Sequence, residues 1–262
     1  MAEPVPDSVL LEIDGEVATV TLNRPGKLNA LTLDMLGALA DIATRLDGDR
    51  TVRCVILTGA GERAFCVGAD INAWSGLEPL DMWRTWVKRG HQVFDQWARL
   101  RQPAIVAVNG HALGGGLELA AVADLRVCAA GAQFGLPEAS IGTCPGWSGT
   151  QRLTALIGVS RVKYLALTGR RIAADEAQRI GFIHEVADER GVLAAARRMA
   201  ADICRLAPIS VQLTKQSIDA GSGEGLAWAL EGMAGALAAS TQDAREGVAS
   251  FREKRPPAFT GK

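Results

Sequence analysis

Two glutamates and a run of glycines lie together in the stretch 104–140, among mostly apolar neighbours. Gly114, Gly115 and Gly116 precede Leu117 and Glu118, and Glu138 stands near the end of the stretch. An apolar setting raises the pKa of a carboxyl group, which can then exchange protons near neutral pH. Backbone N–H groups at the start of a helix can bind a developing oxyanion. The stretch therefore predicts a reaction site with two proton-transfer groups and N–H donors.

Each feature also has a simpler structural explanation. The glycines could form a tight turn or pack closely against a neighbouring strand. Glu118 could face water or pair with Arg126, and Glu138 could stabilise the first turn of a helix. The hypothesis of a reaction site therefore depends on the combination of these features.

The segments around the glycines have recognisable local patterns. The sequence AIVAV at 104–108 is continuous, apolar and partly β-branched, which predicts a buried strand. Asn109-Gly110 is a turn signal, and the residues after Gly114 favour a helix. The glycines are thus expected where a loop becomes a helix.

Other patterns predict a largely parallel α/β protein. They are a hairpin within 8–22 around Asp14-Gly15, a helix after the N-cap Thr32, a buried strand over 52–58 and an amphipathic helix over 80–100. Trp83, Trp86 and Trp97 of the last helix are interpreted as core residues. Strands and helices alternate to about residue 190, and the pattern from Asp188 is helical with a break at Pro208.

The composition is ordinary for a globular protein: 262 residues, 48% hydrophobic, 22% charged, with a formal net charge of −1. The near-neutral charge argues against a general nucleic-acid or anionic-membrane surface, although a local basic patch is compatible with it. There is no apolar run of about 18 residues, and the start MAEPVPDSV does not resemble a signal peptide. We expect a cytoplasmic protein without nucleic-acid or membrane partners.

The cysteines and histidines show no metal-ligand spacing. The five cysteines are expected to be reduced thiols. Cys66 and Cys144 fall near the predicted site, where a nucleophilic role is possible but packing is favoured. His111 could line the site or fill a loop position. No metal site is predicted.

The order and spacing of several short motifs resemble those of the crotonase, or enoyl-CoA hydratase/isomerase, superfamily over roughly residues 10–260. These motifs are Asn23-Arg24-Pro25 with Asn29-Ala30-Leu31, Ala64-Phe65-Cys66 with Gly68-Ala69-Asp70-Ile71, Asn109-Gly110 with Ala112-Leu113-Gly114-Gly115-Gly116 and Glu118-Leu119-Ala120, Phe134-Gly135 with Pro137-Glu138, Pro145-Gly146 with Gly149-Thr150-Gln151-Arg152-Leu153, Ala166-Leu167-Thr168-Gly169, and Ala173-Ala174-Asp175-Glu176-Ala177.

The resemblance implies an α/β fold, a crotonase-like spiral of ββα units over 1–200 that holds the CoA and acyl site. It also implies a C-terminal helical region over 201–262 that mediates trimerisation, giving a homotrimer or a hexamer built as a dimer of trimers. The tryptophan and alanine content of 223–240 is compatible with a helix that has a partner, and equally with core packing. Periodicity alone predicts only a generic α/β protein.

The resemblance also implies the chemistry: hydration of a 2-enoyl-CoA in fatty acid metabolism, with the CoA thioester as substrate and no cofactor. It assigns water activation to Glu118 and proton exchange at C2 to Glu138. The backbone N–H groups of Ala69 and Gly115 would form the oxyanion hole. The other residues predicted to bind the substrate are Gly68, Asp70, Ile71, Asn72, Gly114, Lys27 and Trp147.

Further candidates and departures concern substrate binding. Arg24, Lys27 and Lys254 could contact the CoA phosphates, the last of them on a neighbouring subunit's ligand. Trp147-Ser148 stands where many family members have small residues, and an indole there could narrow or reshape the acyl pocket. His111 replaces an aromatic residue often found before the glycines, and Asn72 replaces a common basic residue.

Two alternatives to hydration remain open at this level. One is another crotonase reaction on an acyl-CoA, such as double-bond isomerisation, carnitinyl-type dehydration or C–C cleavage. The second is a non-catalytic binding or scaffold protein. The presence of both glutamates favours hydration over isomerisation, and together with the near-neutral charge it argues against an RNA-binding scaffold.

Overall fold

The computed structural model describes residues 8–188, 191–220 and 224–262, without the side chains of 224–229. The strands found in these residues are β1 (Val9–Asp14), β2 (Val17–Leu22), β3 (Cys54–Gly59), β4 (Ala64–Cys66), β5 (Ala104–Val108), β6 (His111–Leu113), β7 (Leu125–Cys128), β8 (Gln133–Gly135), β9 (Arg171–Ala173) and β10 (Glu185–Val186).

Twelve α-helices lie in the same described ranges. They are α1 (Leu33–Gly48), α2 (Ile71–Trp74), α3 (Pro79–Asp81), α4 (Lys88–Ala98), α5 (Gly115–Ala120), α6 (Gly149–Ile157), α7 (Val159–Thr168), α8 (Ala174–Arg179), α9 (Val192–Cys204), α10 (Pro208–Asp219), α11 (Glu224–Ala239) and α12 (Gln242–Glu253). Two 3₁₀ helices, Pro25–Lys27 and Glu138–Ile141, and a π-helical segment, Met82–Val87, complete the helical structure of this part of the chain.

The strands form two sheets, and the chain alternates between them. The larger sheet has the order β1-β2-β3-β5-β7-β10, and the smaller has the order β4-β6-β8-β9. Each of β3, β5 and β7 enters the larger sheet, and the next strand then joins the smaller sheet before the chain becomes helical. This repetition confirms the predicted spiral of ββα units.

The larger sheet is parallel except for the hairpin of β1 and β2. Its central strands are covered on both faces, as expected for parallel strands with continuous apolar sequences. Ile56 and Ile105 lie in one buried cluster with Ala196 of α9. Leu57 and Val106, on the opposite face, belong to the main core. The burial of AIVAV therefore follows from the two-residue period of a strand that is covered on both faces.

Local predictions in the N-terminal half are largely confirmed. The hairpin turns at Gly15, and the Thr32 side chain accepts a hydrogen bond from the Met35 N–H at the start of α1. The predicted helix over 80–100 is instead three consecutive segments, with the π-helical segment between α3 and α4. A π-helical turn shifts the register of side chains around the axis, so a 3.6-residue pattern could not anticipate it.

The interpretation of the tryptophans as core residues is correct for Trp86 and Trp97 and wrong for Trp83. Trp86 and Trp97 are buried, whereas Trp83 is 66% exposed. The Arg84 guanidinium lies over the Trp83 ring, 5.9 Å from its centroid. The π-helical register turns Trp83 outward while it keeps Trp86 inside.

The C-terminal part is helical, with Pro208 opening α10. The predicted boundary at residue 200 falls within α9, which packs on the larger sheet. The buried Lys215 ammonium on α10 contacts Asp124 at 2.8 Å and thereby joins this helix to the core. The predicted partner helix over 223–240 corresponds to α11, but residue 223 and the side chain of Trp228 lie outside the described residues. The oligomerisation role of 201–262 stays a prediction.

A transmembrane helix is not found in the described ranges, because none of their helices is both long and apolar enough to cross a bilayer.

Candidate active site

The glycine segment lies where the two sheets and a helix meet. Strand β5 ends at Val108, Asn109-Gly110 turns the chain into β6, and α5 begins at Gly115. The Asn109 carboxamide fixes this turn, since its Oδ1 accepts from the Gly59 N–H and its Nδ2 donates to the Gly61 carbonyl. Gly114 has φ 53° and ψ −129°, a conformation open to glycine and strained for other residues.

The three glycines differ in their surroundings. A methyl group on Gly116 would overlap the Cys66 carbonyl, so this glycine allows α5 to pack against β4. Gly114 and Gly115 instead line a cavity. Close packing and lining of the cavity thus occur at adjacent positions, and oxyanion binding by the Gly115 N–H stays a prediction.

The loop of Gly68 and Ala69 approaches the start of α5. A methyl group on Gly68 would lie 3.0 Å from the Gly115 nitrogen, which shows how closely the two segments pass. Leu31 pairs with this loop through the Gly68 carbonyl and the Asp70 N–H, each at 2.8 Å. In such a parallel bridge the N–H of the intervening residue, Ala69, lies on the opposite side of the chain. The N–H groups of Ala69 and Gly115 therefore belong to two backbone segments that lie next to each other.

Glu118 is only 2% exposed on α5. Its Oε1 accepts hydrogen bonds from the Trp147 N–H at 3.0 Å and the Gly149 N–H at 2.8 Å. Burial raises the pKa of Glu118, and these N–H donors oppose the increase. The alternative pairing with Arg126 is not found, since that guanidinium donates to carbonyl groups, among them that of Phe182.

Glu138 begins the 3₁₀ helix Glu138–Ile141 and is 9% exposed. Its Oε1 lies beside Gly114, where an added methyl group would come within 3.0 Å of it. Its Oε2 is buried without a hydrogen-bond partner among the described protein atoms. Burial, with a smaller contribution from the charge of Glu118, raises the pKa of Glu138 to about 7. A carboxyl group in this setting is suited to hold a proton near neutral pH.

The two glutamates face one cavity of about 580 Å³. The residues that line it are Val67, Gly68, Ala69, Ile71, Trp74, Met82, Trp86, Val87, Gly114, Gly115, Glu118, Pro137, Glu138, Ser140, Ile141, Gly142, Thr143, Cys144, Pro145, Gly146 and Trp147. An apolar cavity lined by two carboxyl groups can place a base and an acid beside a bound carbonyl compound.

Comparisons with known proteins identify the family of this chain. The family model described as enoyl-CoA hydratase/isomerase matches residues 12–262. The chain belongs to this family.

Relatives named as hydratases match the chain over nearly its full length. The short-chain-enoyl-CoA hydratase of Clostridium acetobutylicum is 40% identical over 251 residues, which are 95% of this chain and 96% of that protein. The crotonyl-CoA hydratase of Syntrophomonas wolfei is 37% identical over 258 residues, 98% of this chain and 99% of that protein. The crystal structure of an enoyl-CoA hydratase from Bacillus anthracis superposes with a TM-score of 0.93 at 37% identity, covering 98% of this chain and all of that chain.

In this enoyl-CoA hydratase/isomerase family member, eight of the eleven residues predicted for the site line the cavity: Gly68, Ala69, Ile71, Gly114, Gly115, Glu118, Glu138 and Trp147. The other three are Asp70, Asn72 and Lys27. Asp70 caps α2 through the Asn72 N–H and forms an ion pair with Arg24 at 3.0 Å. Asn72 and Lys27 are exposed outside the cavity lining.

The ion pair with Asp70 also bears on the basic residues suggested for CoA binding. The Arg24 guanidinium donates to the Ala30 carbonyl as well, at 2.6 Å, so it is already occupied within the chain. Lys27 and Lys254 are both exposed, so their ammonium groups are accessible to a phosphate group.

Sequence reasoning missed several residues that shape this family member's cavity. Trp74, Met82 and Trp86 line it; the sequence indicated only an amphipathic helix for the last two and gave no signal for Trp74. Gly90 and Gly149 also escaped notice as contacts of the site, although Gly149 stands in a family motif. No local signal marks either of them, because each is required to be small by a side chain distant in sequence.

The cysteines and His111 were the other side chains considered for a chemical role. All five cysteines are free thiols, with Cys66 buried and Cys144 on the cavity wall. Burial raises the pKa of the Cys66 thiol to about 12, which leaves it un-ionised and suited to packing. His111 belongs to β6 and is not part of the cavity lining. Within 8–188, 191–220 and 224–262, no three His, Cys, Asp or Glu side chains are grouped as metal ligands.

Proposed function

We propose that this protein catalyses the reversible hydration of a 2-enoyl-CoA to a 3-hydroxyacyl-CoA. The observation that carries the proposal is the pair of buried glutamates with different environments. Glu118 accepts two backbone N–H bonds, which favour its ionised form, whereas the buried Oε2 of Glu138 has no such donor. A pair of carboxyl groups with unlike environments can act as base and acid at the same pH. The names of the relatives support the same reaction.

The thioester carbonyl oxygen is proposed to lie between the N–H groups of Ala69 and Gly115. Addition of water at C3 pushes negative charge onto this oxygen, and two preorganised donors stabilise it. Loss of one such donor typically costs about 2.7–4 kcal/mol of activation energy. Because both donors are backbone groups, their positions depend on the close passage of the Gly68 loop and α5.

The proton transfers are proposed to follow from the protonation of the pair. Glu118 removes a proton from water as the oxygen bonds to C3, and the electrons of the C2–C3 double bond move toward the carbonyl. Glu138 gives its proton to C2 when the carbonyl re-forms. In dehydration, Glu138 removes the C2 proton, and Glu118 gives its proton to the departing hydroxyl group. Hydration leaves Glu118 protonated and Glu138 ionised, and proton exchange with water restores the starting protonation before the next turnover.

The proposal also covers the ligand, the location and the oligomeric state of the protein. The partner is the CoA thioester itself, held by the cavity and by local cations, with no cofactor taking part in the steps above. We propose a cytoplasmic homotrimer or hexamer whose C-terminal helices form the contacts between copies.

The experiment is a spectrophotometric assay with 2-enoyl-CoA esters of several chain lengths. Hydration removes the conjugated double bond, so absorbance at the enoyl thioester band should fall until equilibrium is reached. A binding or scaffold protein would leave the absorbance unchanged. An isomerase would instead raise the absorbance when it is given a 3-enoyl-CoA, without consuming the 2-enoyl product.

A further inference from the structure

Trp147 is held rigidly in the wall of the cavity. It is 3% exposed, and its ring contacts Trp86 at a centroid distance of 5.5 Å and Phe94 at 5.4 Å. The contact with Phe94 is edge-to-face, with an interplanar angle of 67°. Such aromatic packing favours one orientation of the indole. Trp147 is therefore a fixed part of the wall.

Glycines on two helices make room for this indole. A methyl group on Gly90 of α4 would overlap the pyrrole part of the ring. A methyl group on Gly115 of α5 would lie 2.8 Å from Cε3 and Cζ3. The indole thus fills the gap between α4 and α5 and leaves no passage for another group there.

Trp147 lies beside the groups that are proposed to act on C3 and on the thioester oxygen of the substrate. Its backbone N–H donates to Glu118, the proposed base at C3, and its ring lies against Gly115, a proposed donor to the thioester oxygen. The acyl carbons beyond C3 must then start within reach of the ring. Trp86 lines the cavity beside it.

We propose that Trp147 closes the inner end of the acyl pocket and makes short, unbranched 2-enoyl thioesters the preferred substrates. This inference rests on the proposed hydratase function and deepens it. A well-packed wall discriminates by size, because each further methylene must displace packed side chains or leave the pocket. An acyl tail directed instead to the exposed residues Ile141 and Cys144 at the cavity edge would be insensitive to Trp147.

The test compares crotonyl-, 2-hexenoyl-, 2-octenoyl- and 2-decenoyl-CoA in the wild type, Trp147→Phe and Trp147→Ala. Phenylalanine keeps the backbone N–H to Glu118 and most of the packing, so it should retain the fold even if the alanine variant does not. In the wild type, kcat/KM should fall with chain length. Either substitution should raise the ratio of kcat/KM for 2-octenoyl-CoA to that for crotonyl-CoA, by at least about tenfold for alanine. Most of the change should appear in KM, because the wall acts on binding.

Two further variants distinguish an effect of the Trp147 ring on pocket size from general effects of substitution on the protein. Trp83→Ala removes an indole from the surface outside this cavity and should leave the chain-length profile unchanged. Gly90→Ala should push the Trp147 ring toward the pocket and lower the 2-octenoyl to crotonyl ratio further. Unchanged profiles in folded Trp147→Phe and Trp147→Ala, or a flat wild-type profile, would overturn the inference.

Failure of the inference can be distinguished from failure of the proposed function. Binding of butyryl-, hexanoyl-, octanoyl- and decanoyl-CoA, measured by calorimetry, needs no turnover. Length-dependent binding that Trp147→Ala relaxes, without hydration of any ester, would reject the function and keep the wall. Hydration of all esters with equal kcat/KM and equal binding would reject the wall and keep the function.

Discussion

Gly149 lies directly against the side chain of Glu118. Its N–H donates to Glu118 Oε1 at 2.8 Å, and a methyl group on its Cα would overlap the glutamate Cγ. The first residue of α6 therefore positions a carboxylate on α5 and requires that no side chain be present.

Gly149→Ala should displace the Glu118 carboxylate and reduce kcat of the proposed hydration by about 10²-fold, since small misplacements of a reacting group have effects of this size. Steady-state kinetics with crotonyl-CoA measures the effect. Gly37→Ala is the matched control, because its added methyl group would meet nothing within 4 Å apart from the adjoining backbone of α1. Equal activity in both variants would show that the position of Glu118 tolerates the displacement.

Glu118→Gln and Glu138→Gln should each lower hydration by about 10²–10⁴-fold, because an amide neither accepts nor donates the required proton. Circular dichroism and CoA affinity should stay close to those of the wild type. Glu12→Gln, at an exposed position of β1, serves as the control. Near-normal turnover in either variant would assign that glutamate a structural role.

The pH dependence of kcat/KM should have an alkaline limb near neutrality. Hydration needs Glu138 protonated and Glu118 ionised, and burial raises the pKa of Glu138 to about 7. Above about pH 7 the protonated fraction of Glu138 falls, so kcat/KM should decrease about tenfold per pH unit.

The kcat/KM for dehydration should show the same alkaline limb. Interconversion of the two thioesters takes up no net proton, so the ratio of the two kcat/KM values equals an equilibrium constant that does not change with pH. The apparent pKa belongs to the coupled pair. Initial rates in both directions from about pH 6 to about pH 9 test this expectation. A flat profile across that range would contradict the assigned proton donor.

CoA affinity should depend on exposed lysines through its phosphates. Lys27→Ala and Lys254→Ala should weaken CoA binding more than dephospho-CoA binding, and the difference should shrink at high salt because exposed charges are screened. Calorimetric titration at low and high salt gives the comparison. Lys163→Ala, an exposed position on α7 outside the cavity lining, should have no effect. Equal affinities in all variants would exclude a lysine clamp on the phosphates.

The protein should sediment as a trimer or hexamer of its 27.6 kDa chain. Leu167, Ile218 and Phe251 are large apolar residues that are mostly exposed on the helices after residue 158, and contact between copies would remove them from water. Phe251→Asp should shift the sedimentation coefficient toward smaller species if α12 takes part in the contact. A clean monomer in the wild type at micromolar concentration would refute the expectation.

Much of the local structure could be predicted from neighbouring residues alone. The buried strand 104–108, the N-cap at Thr32 and the helix start at the glycines depend on patterns of a few residues, and each of them is present. The spiral was expected only from the family motifs, since a parallel sheet and a two-sheet spiral have the same local periodicity.

Tertiary packing decided how the site is arranged. The N–H donors to Glu118 lie 29 and 31 residues later, just before and at the start of α6, and the ion pair that occupies Arg24 joins residues 46 positions apart. Trp83 and Trp86 differ in burial although both belong to one helical segment. The direction of a side chain depends on which distant residues fill the space around it, and local propensity does not contain that information. The sequence by itself therefore determined the candidate groups and their order, whereas only the packing of α4, α5 and α6 decided that the Trp147 indole lies between Gly90 and Gly115.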